Sequence, residues 1–249
     1  MAALNPLARK LEHFVRMSAD DREALHRIAS ERPRQFAARQ DILREGEGPR
    51  SLYLMLSGWA CRYKELEDGR RQIIGFFLPG DLCDLNMHLL RSMDHSVGAI
   101  TPATLAELPP GAIEEINLRH PRIMQALWWD MLVSMAVQRE WTLNLGQRTA
   151  FERVGHLLCE LFHRLQAVGL TRGNSCELPF TQADLADATG LSAVHANRTL
   201  QELRTLGLIV LKERVLTIPD LGVLQEASLF NPNYLHLDRE GRNMDANDT

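Results

Sequence analysis

Residues 178–220 read LPFTQADLADATGLSAVHANRTLQELRTLGLIVLKERVLTIPD, and their spacing decides the fold of the C-terminal part of the chain. Thr181 stands where an N-cap belongs, ahead of QADLADAT, a short helix with Leu185 and Ala186 on its inward face. Gly190 supplies the tight turn and Leu191 a buried turn residue. Ser192 then caps a second helix, AVHANRTLQELRTLG, with Ala196, Leu200, Leu203 and Leu206 facing inward. Two short helices hinged by glycine form a helix-turn-helix, whose second helix protrudes by its first turns. Its width suits the major groove of double-stranded DNA. LIVLKERVLTI then reads as two strands around Lys212-Glu213-Arg214, a wing able to touch phosphates.

The exposed side of the second helix offers Ala193, Val194, His195, Asn197 and Arg198. A guanidinium at 198 can donate two hydrogen bonds to guanine, a carboxamide at 197 can pair bidentately with adenine, and Ala193 or Val194 can meet a thymine methyl. Thr181, Gln182, Ser192 and His195 suit phosphate oxygens, which position a protein without reading sequence. The competing reading is a small helical subdomain whose polar face serves protein contacts. Asp184, Asp187 and Glu202 show that charge alone does not decide between them. The combination of caps, turn, spacing and wing favours DNA.

Working outward, residues 35–110 alternate short apolar runs (SLYLML, WACRY, QIIGFFL, SVGAI, ATLAEL) with glycine turns, the pattern of an antiparallel sandwich or barrel. LEDGRRQ is the clearest hairpin. Residues 84–94 break the strands as a short helix or loop, and residues 4–32 read as helical with Ser18 as an N-cap. Pro121 opens a long helix to about Leu145, on which Met124, Trp128, Met131, Met135 and Leu145 form a stripe widened by Trp129 and Trp141. A helix this apolar, leaving a β-domain, predicts pairing with its twin in a homodimer. TAFERVGHLLCELFHRL is helical again up to Gly169, and residues 170–177 read as a polar loop. The domains expected are a sensor at 1–120, a dimerisation helix and hinge at 121–146, a DNA-binding domain at 147–237 and a polar tail at 238–249.

Two modest domains fit 249 residues, and 45% hydrophobic with 24% charged residues is an ordinary globular composition. A net charge of −4 excludes a histone-like polycation, but site-specific DNA binding needs only a locally positive face. The sequence shows no secretory signal and no apolar run near the roughly 20 residues that span a bilayer. With four scattered cysteines and no CxxC pair, the expectation is a cytoplasmic protein without membrane partner, disulfide framework or zinc ribbon. The sequence contains no GxSxG, P-loop, HExxH or GxGxxG, so an enzyme is not expected.

The chain resembles the Crp/Fnr family of transcription regulators over about residues 10 to 225. The marks are REGEGPRSLYLMLSGWACRY and DGRRQIIGFFLPGDL, then the long helix, then TQADLADATGLSAVHANRTLQELRTLGLI. The resemblance implies an α+β chain: an N-terminal β-roll of the cyclic-nucleotide-binding, jelly-roll type, a dimerisation helix and a winged helix-turn-helix. It also implies a homodimer on two-fold-symmetric promoter sites that contacts RNA polymerase. The family's base-reading positions fall on Ala193, Val194, Asn197 and Arg198. The arginine is kept, whereas Val194 replaces the usual glutamate, which implies a different half-site.

Members of the family that bind cyclic AMP hold the ribose with a glutamate and the phosphate with an Arg-Ser pair. Anchored on Pro79-Gly80-Asp81, these positions are Leu85, with Asp84 beside it, and His95-Ser96. Neutral imidazole lacks the permanent charge and fork of guanidinium, so the expected effector is a small molecule other than cyclic AMP, bound near Asp84, Leu85, His95 and Ser96, or none. No cysteine precedes Cys61, which argues against an iron–sulfur cluster. His88 and His95 lie in the sensor, but scattered histidines are more often surface or hydrogen-bonded residues than haem ligands, and no cofactor is expected. His156, Cys159 and His163 share a helix face that reads as packing rather than zinc ligation. Cys61 and Cys83 are open as redox sensors.

Overall fold

A computed structural model describes residues 5–30, 32–49, 51–83, 90–109 and 111–237. The N-terminal region expected to be helical holds two helices, α1 (Pro6–Leu11) and α2 (Ala19–Ser30). Asn5 caps the first through the Ala8 N–H at 2.7 Å. Ser18 and Asp21 cap the second reciprocally: each backbone N–H donates to the other's side chain, at 2.9 and 3.1 Å.

Among the described residues eight strands follow: β1 (Pro33–Phe36), β2 (Asp41–Leu43), β3 (Leu52–Ser57), β4 (Ala60–Glu65), β5 (Arg71–Phe77), β6 (Leu82–Cys83), β7 (Ser96–Ala99) and β8 (Ala103–Leu108). They form two antiparallel sheets, ordered β1-β8-β3-β6 and β2-β7-β4-β5. Between them Met55, Phe77, Cys83, Val97 and Leu105 make a small core of their own. Non-consecutive neighbours within each sheet mark the β-roll. The β4–β5 hairpin is the one expected at Asp68-Gly69, with Gly69 at φ +83. Gly58, at φ +82 between β3 and β4, accepts no side chain, because a Cβ there would lie 2.4 Å from the Pro102 carbonyl oxygen.

Residues 112–119 form a helix that the sequence reading did not anticipate, α3 (Ala112–Arg119), with Ile116 its one buried side chain. The long helix α4 (Pro121–Gly146) begins at its proline. Helix α5 (Ala150–Ala167) carries a Thr149–Glu152 capping box. Residues 170–177, expected as loop, pair as β9 (Thr171–Arg172) and β10 (Ser175–Glu177). The reason is Cys176, which is buried opposite Leu216 and so extends the wing sheet by a hairpin. Helices α6 (Gln182–Thr189) and α7 (Ala193–Thr205), strands β11 (Val210–Lys212) and β12 (Val215–Thr217), and helix α8 (Leu221–Ala227) complete the winged helix-turn-helix. A 3-10 turn, Pro232–Leu235, follows.

The larger core runs without interruption from α1 past Trp59 and Phe76 of the β-roll, through α4 and α5, into α6 and α7. At its centre a buried ionic network joins four elements. Lys10 pairs with Asp81 and Asp130 at 2.7 and 2.6 Å, and Arg164 pairs with Asp81 at 2.9 Å. Burial alone would raise the Asp81 pKa, but Lys10 and Arg164 outweigh it and hold the carboxyl below its usual range. Asp130 shares Lys10 with Asp81, and there burial wins, raising its pKa. No helix among the described residues is long and apolar enough to cross a membrane.

Candidate nucleic-acid interface

The helix-turn-helix is built from its caps. Thr181 Oγ1 accepts the Asp184 N–H at 3.2 Å while Asp184 accepts the Thr181 N–H at 2.8 Å, a closed capping box on α6. Gly190 ends α6 in the left-handed conformation, φ +64, and Ser192 Oγ accepts the His195 N–H to start α7. Leu185, Ala186, Ala196, Leu200 and Leu203 are buried as the pattern required. Leu206 is not: it caps the C-terminus of α7 and is 60% exposed, because the helix has already passed the edge of the core.

Of the residues predicted to meet DNA, Thr181, Gln182, Ser192, Ala193, Val194 and Arg198 are exposed, Val194 by 81%. His195 and Asn197 are half-buried. The Asn197 side chain accepts a hydrogen bond from Gln182 Nε2 at 3.1 Å, so the first helix orients a side chain of the second that was expected to meet base edges. The wing turns at Glu213 and Arg214, both at positive φ (+50 and +63), the two-residue hairpin geometry that matches strand twist. Lys212 and Arg214 are exposed at its tip.

Residues outside the motif hold it. Arg39, on the β1–β2 turn, grips the buried Asp184 with both arms of its guanidinium, Nη1 to Oδ1 and Nη2 to Oδ2 at 2.7 Å. Gln72 of β5 donates to the carbonyls of Asp187 and Ala188 in the last turn of α6. Phe180, just before the cap, stacks on Phe76 with centroids 5.2 Å apart and meets the edge of Trp59 at 6.0 Å. None of these partners is legible in the sequence, since pairs more than a hundred residues apart leave no local periodicity.

A cavity of about 520 Å³ lies between β5, α4 and α5, with Lys10, Phe14, Phe77, Met131, Arg164 and Leu235 among its walls. Of the expected effector residues, His95 lines it, its Nδ1 2.6 Å from Asp94. Ser96 Oγ instead accepts the Glu45 N–H at 3.0 Å, and Asp84, Leu85 and His88 lie outside the described residues. All four thiols are buried, and burial pushes Cys61 and Cys176 to about 11 and Cys159 to about 12, far from thiolate chemistry near neutrality. His156 and Cys159 are fully buried, and Phe230 packs on both His156 and His163, at 4.9 and 5.4 Å.

Comparison with known proteins agrees with this architecture. A family model described as a cyclic nucleotide-binding domain matches residues 33–120, and one described as a Crp-like helix-turn-helix domain matches residues 152–227. The transcriptional activatory protein AadR of Rhodopseudomonas palustris is 30% identical over 192 residues, 77% of this chain and 78% of that protein. The nitrogen fixation regulation protein FixK of Bradyrhizobium diazoefficiens is 30% identical over 177 residues, 71% of this chain and 73% of that protein. The solved structure of FixK2 from Bradyrhizobium japonicum superposes with a TM-score of 0.70 at 26% identity, covering 79% of this chain and 96% of that one. With a β-roll, a long connecting helix and a winged helix-turn-helix in that order, the chain belongs to the Crp/Fnr family of DNA-binding transcription regulators.

Proposed function

We propose that this regulator works in the cytoplasm as a homodimer on a two-fold-symmetric promoter site, in contact with RNA polymerase, and that it is not an enzyme. The observation that carries the dimer is a second apolar face on α4. Ile123, Leu127, Val133, Val137 and Trp141 bury one side against the chain's own core. Trp128, Leu132 and Met135, spaced four and three residues apart, stand 59%, 51% and 53% exposed on another. Such a row on an isolated helix face suits an isologous contact with its own copy.

In this reading Arg198, Asn197, Val194 and Ala193 meet base edges, while Thr181, Gln182, Ser192 and His195 meet phosphates. A small effector other than cyclic AMP would use the cavity beside α4. His95 supplies no permanent charge for a cyclic phosphate, and its Nδ1 is engaged with Asp94. The test is selection of bound duplexes from a random DNA pool by the purified protein without added effector. The expected product is an inverted repeat with half-sites about one helical turn apart, roughly 10 base pairs centre to centre. Enrichment of a single unrepeated half-site would refute the dimeric reading.

A further inference from the structure

Helix α6 is fixed to the β-roll at both ends. At its N-terminus Asp184 is shared: one carboxylate closes the capping box and also receives the Arg39 fork. Arg39 is itself held rigidly, at φ +67 with its N–H donating to the Ala99 carbonyl of β7 at 2.8 Å. At the C-terminus of α6 the unpaired carbonyls, which carry the negative end of the helix dipole, receive the Gln72 amide. Phe180 is seated against Phe76 and Trp59 at the same junction. Meanwhile Ala193, Val194 and Arg198 on α7 stay exposed, so this docking holds the motif without covering its reading face.

We propose that Arg39 is a positioning residue for DNA recognition: through Asp184 it sets the orientation of α6, and with it the distance between the two reading helices of a dimer. The inference rests on the dimeric reading above. Each half-site is bound by α7 whatever its tether. Simultaneous occupation of two half-sites depends on the geometry of the linkage, because the second contact is made at an effective concentration set by how the first is held. A bidentate fork fixes direction as well as distance, which a lysine cannot do.

The experiment compares wild type, Arg39→Gln and Arg39→Lys, all full-length, on two duplexes: the palindrome selected by the wild type, and the same duplex with one half scrambled. Melting temperature and the salt dependence of binding are recorded for each. The expected result for both variants is on the order of a five- to tenfold loss on the palindrome, the size of an ordinary coupling between sites. Half-site affinity and the salt slope stay at wild-type values. Equal loss on both duplexes would overturn the proposal by showing a general loss of fold. A salt slope smaller by about one would overturn it by making Arg39 a phosphate contact. Wild-type discrimination that survives in both variants overturns this inference alone. A wild type that binds the two duplexes equally overturns the dimeric reading and this inference with it.

Discussion

The hydroxyl of Tyr234 donates to Glu160 Oε2 at 3.0 Å, inside a core where Glu160 has no exposure to solvent. The same carboxylate receives Trp141 Nε1 at 3.1 Å and Arg164 Nη1 at 3.4 Å, so residues of α4, α5 and the C-terminal 3-10 turn converge on one buried acid. Burial drives the Glu160 pKa up against these partners and, with Glu160 beside it, drives the Tyr234 hydroxyl up as well. Phe230 and Tyr234 lie beyond residue 227, where the helix-turn-helix match ends.

Removing one donor from a buried carboxylate costs more than the net value of the bond, because a lone pair is left dry. Tyr234→Phe keeps the ring, and with it the stack on His156 at 5.9 Å. The expected loss of stability is therefore about 1–3 kcal/mol, the penalty of an unsatisfied buried acceptor. Urea denaturation followed by tryptophan fluorescence measures it, and an unchanged midpoint would contradict the assigned role.

His156 predicts the acid limb of stability. Burial, with Arg148 nearby, lowers its pKa from 6.5 to about 3, and its Nδ1 accepts the Asn144 amide at 3.1 Å, a bond only the neutral ring can accept. The folded state therefore excludes a proton that the unfolded chain takes up below its ordinary pKa. Its stabilising contribution is complete above about pH 6.5 and is lost as pH falls toward 3, by at most about 1.4 kcal/mol per pH unit. His156→Phe, which preserves a ring between Phe230 and Tyr234, should be less stable at pH 7 yet lose less stability between pH 7 and 5. Parallel melting-temperature curves for the two proteins over that range would count against this account.

The parts legible in the sequence were those with a short period. Short apolar runs between glycine turns announced β3, β4, β5, β7 and β8, and the Thr181 and Ser192 caps with Gly190 announced both helices of the reading motif. Helix α3 was missed because AIEEINLR buries only Ile116, too little for a hydrophobic stripe. The β9–β10 hairpin was missed because its burial rests on Cys176 alone, read among polar neighbours. On α4 the apolar stripe legible in the sequence mixes Met124 and Met131, which are half-buried, with Trp128 and Met135, which are exposed. The residues buried deepest, Ile123, Ala126 and Leu127, are a different row. Two apolar faces on one helix overlap in any one-dimensional pattern. Arg39, Gln72 and the Lys10–Asp81–Arg164 network are long-range pairings of common polar residues, invisible until the chain is folded.

The exposed apolar face of α4 is open to disruption by charge. Leu132→Glu with Met135→Glu places two like charges on a surface that a symmetric partner would bury, each opposed by its own copy. The double variant should elute as a monomer in light-scattering chromatography, keep the far-UV circular dichroism of a folded chain because both side chains are half exposed or more, and lose most of its affinity for a palindromic duplex. A monomeric wild type at micromolar concentration, or a variant that stays dimeric, would remove α4 as the interface.

The reading face separates into residues free to contact bases and residues already engaged, and the two classes should respond differently. Arg198 is exposed on α7, and its five donors are suited to guanine O6 and N7. Arg198→Ala should cost about 1–3 kcal/mol of specific binding and flatten preference at one base position per half-site. Asn197 is oriented by Gln182 across the turn. Gln182→Ala should therefore weaken discrimination at the neighbouring position that Asn197 reads, although Gln182 itself meets only phosphate in the proposed arrangement. Repeating the DNA selection with each variant gives both answers as position-by-position preferences. If Gln182→Ala lowers affinity uniformly over all sequences, its role is confined to the backbone and the orientation of Asn197 owes nothing to it. If it blurs one column while Arg198→Ala blurs another, the first helix of the motif contributes to sequence reading through a side chain of the second.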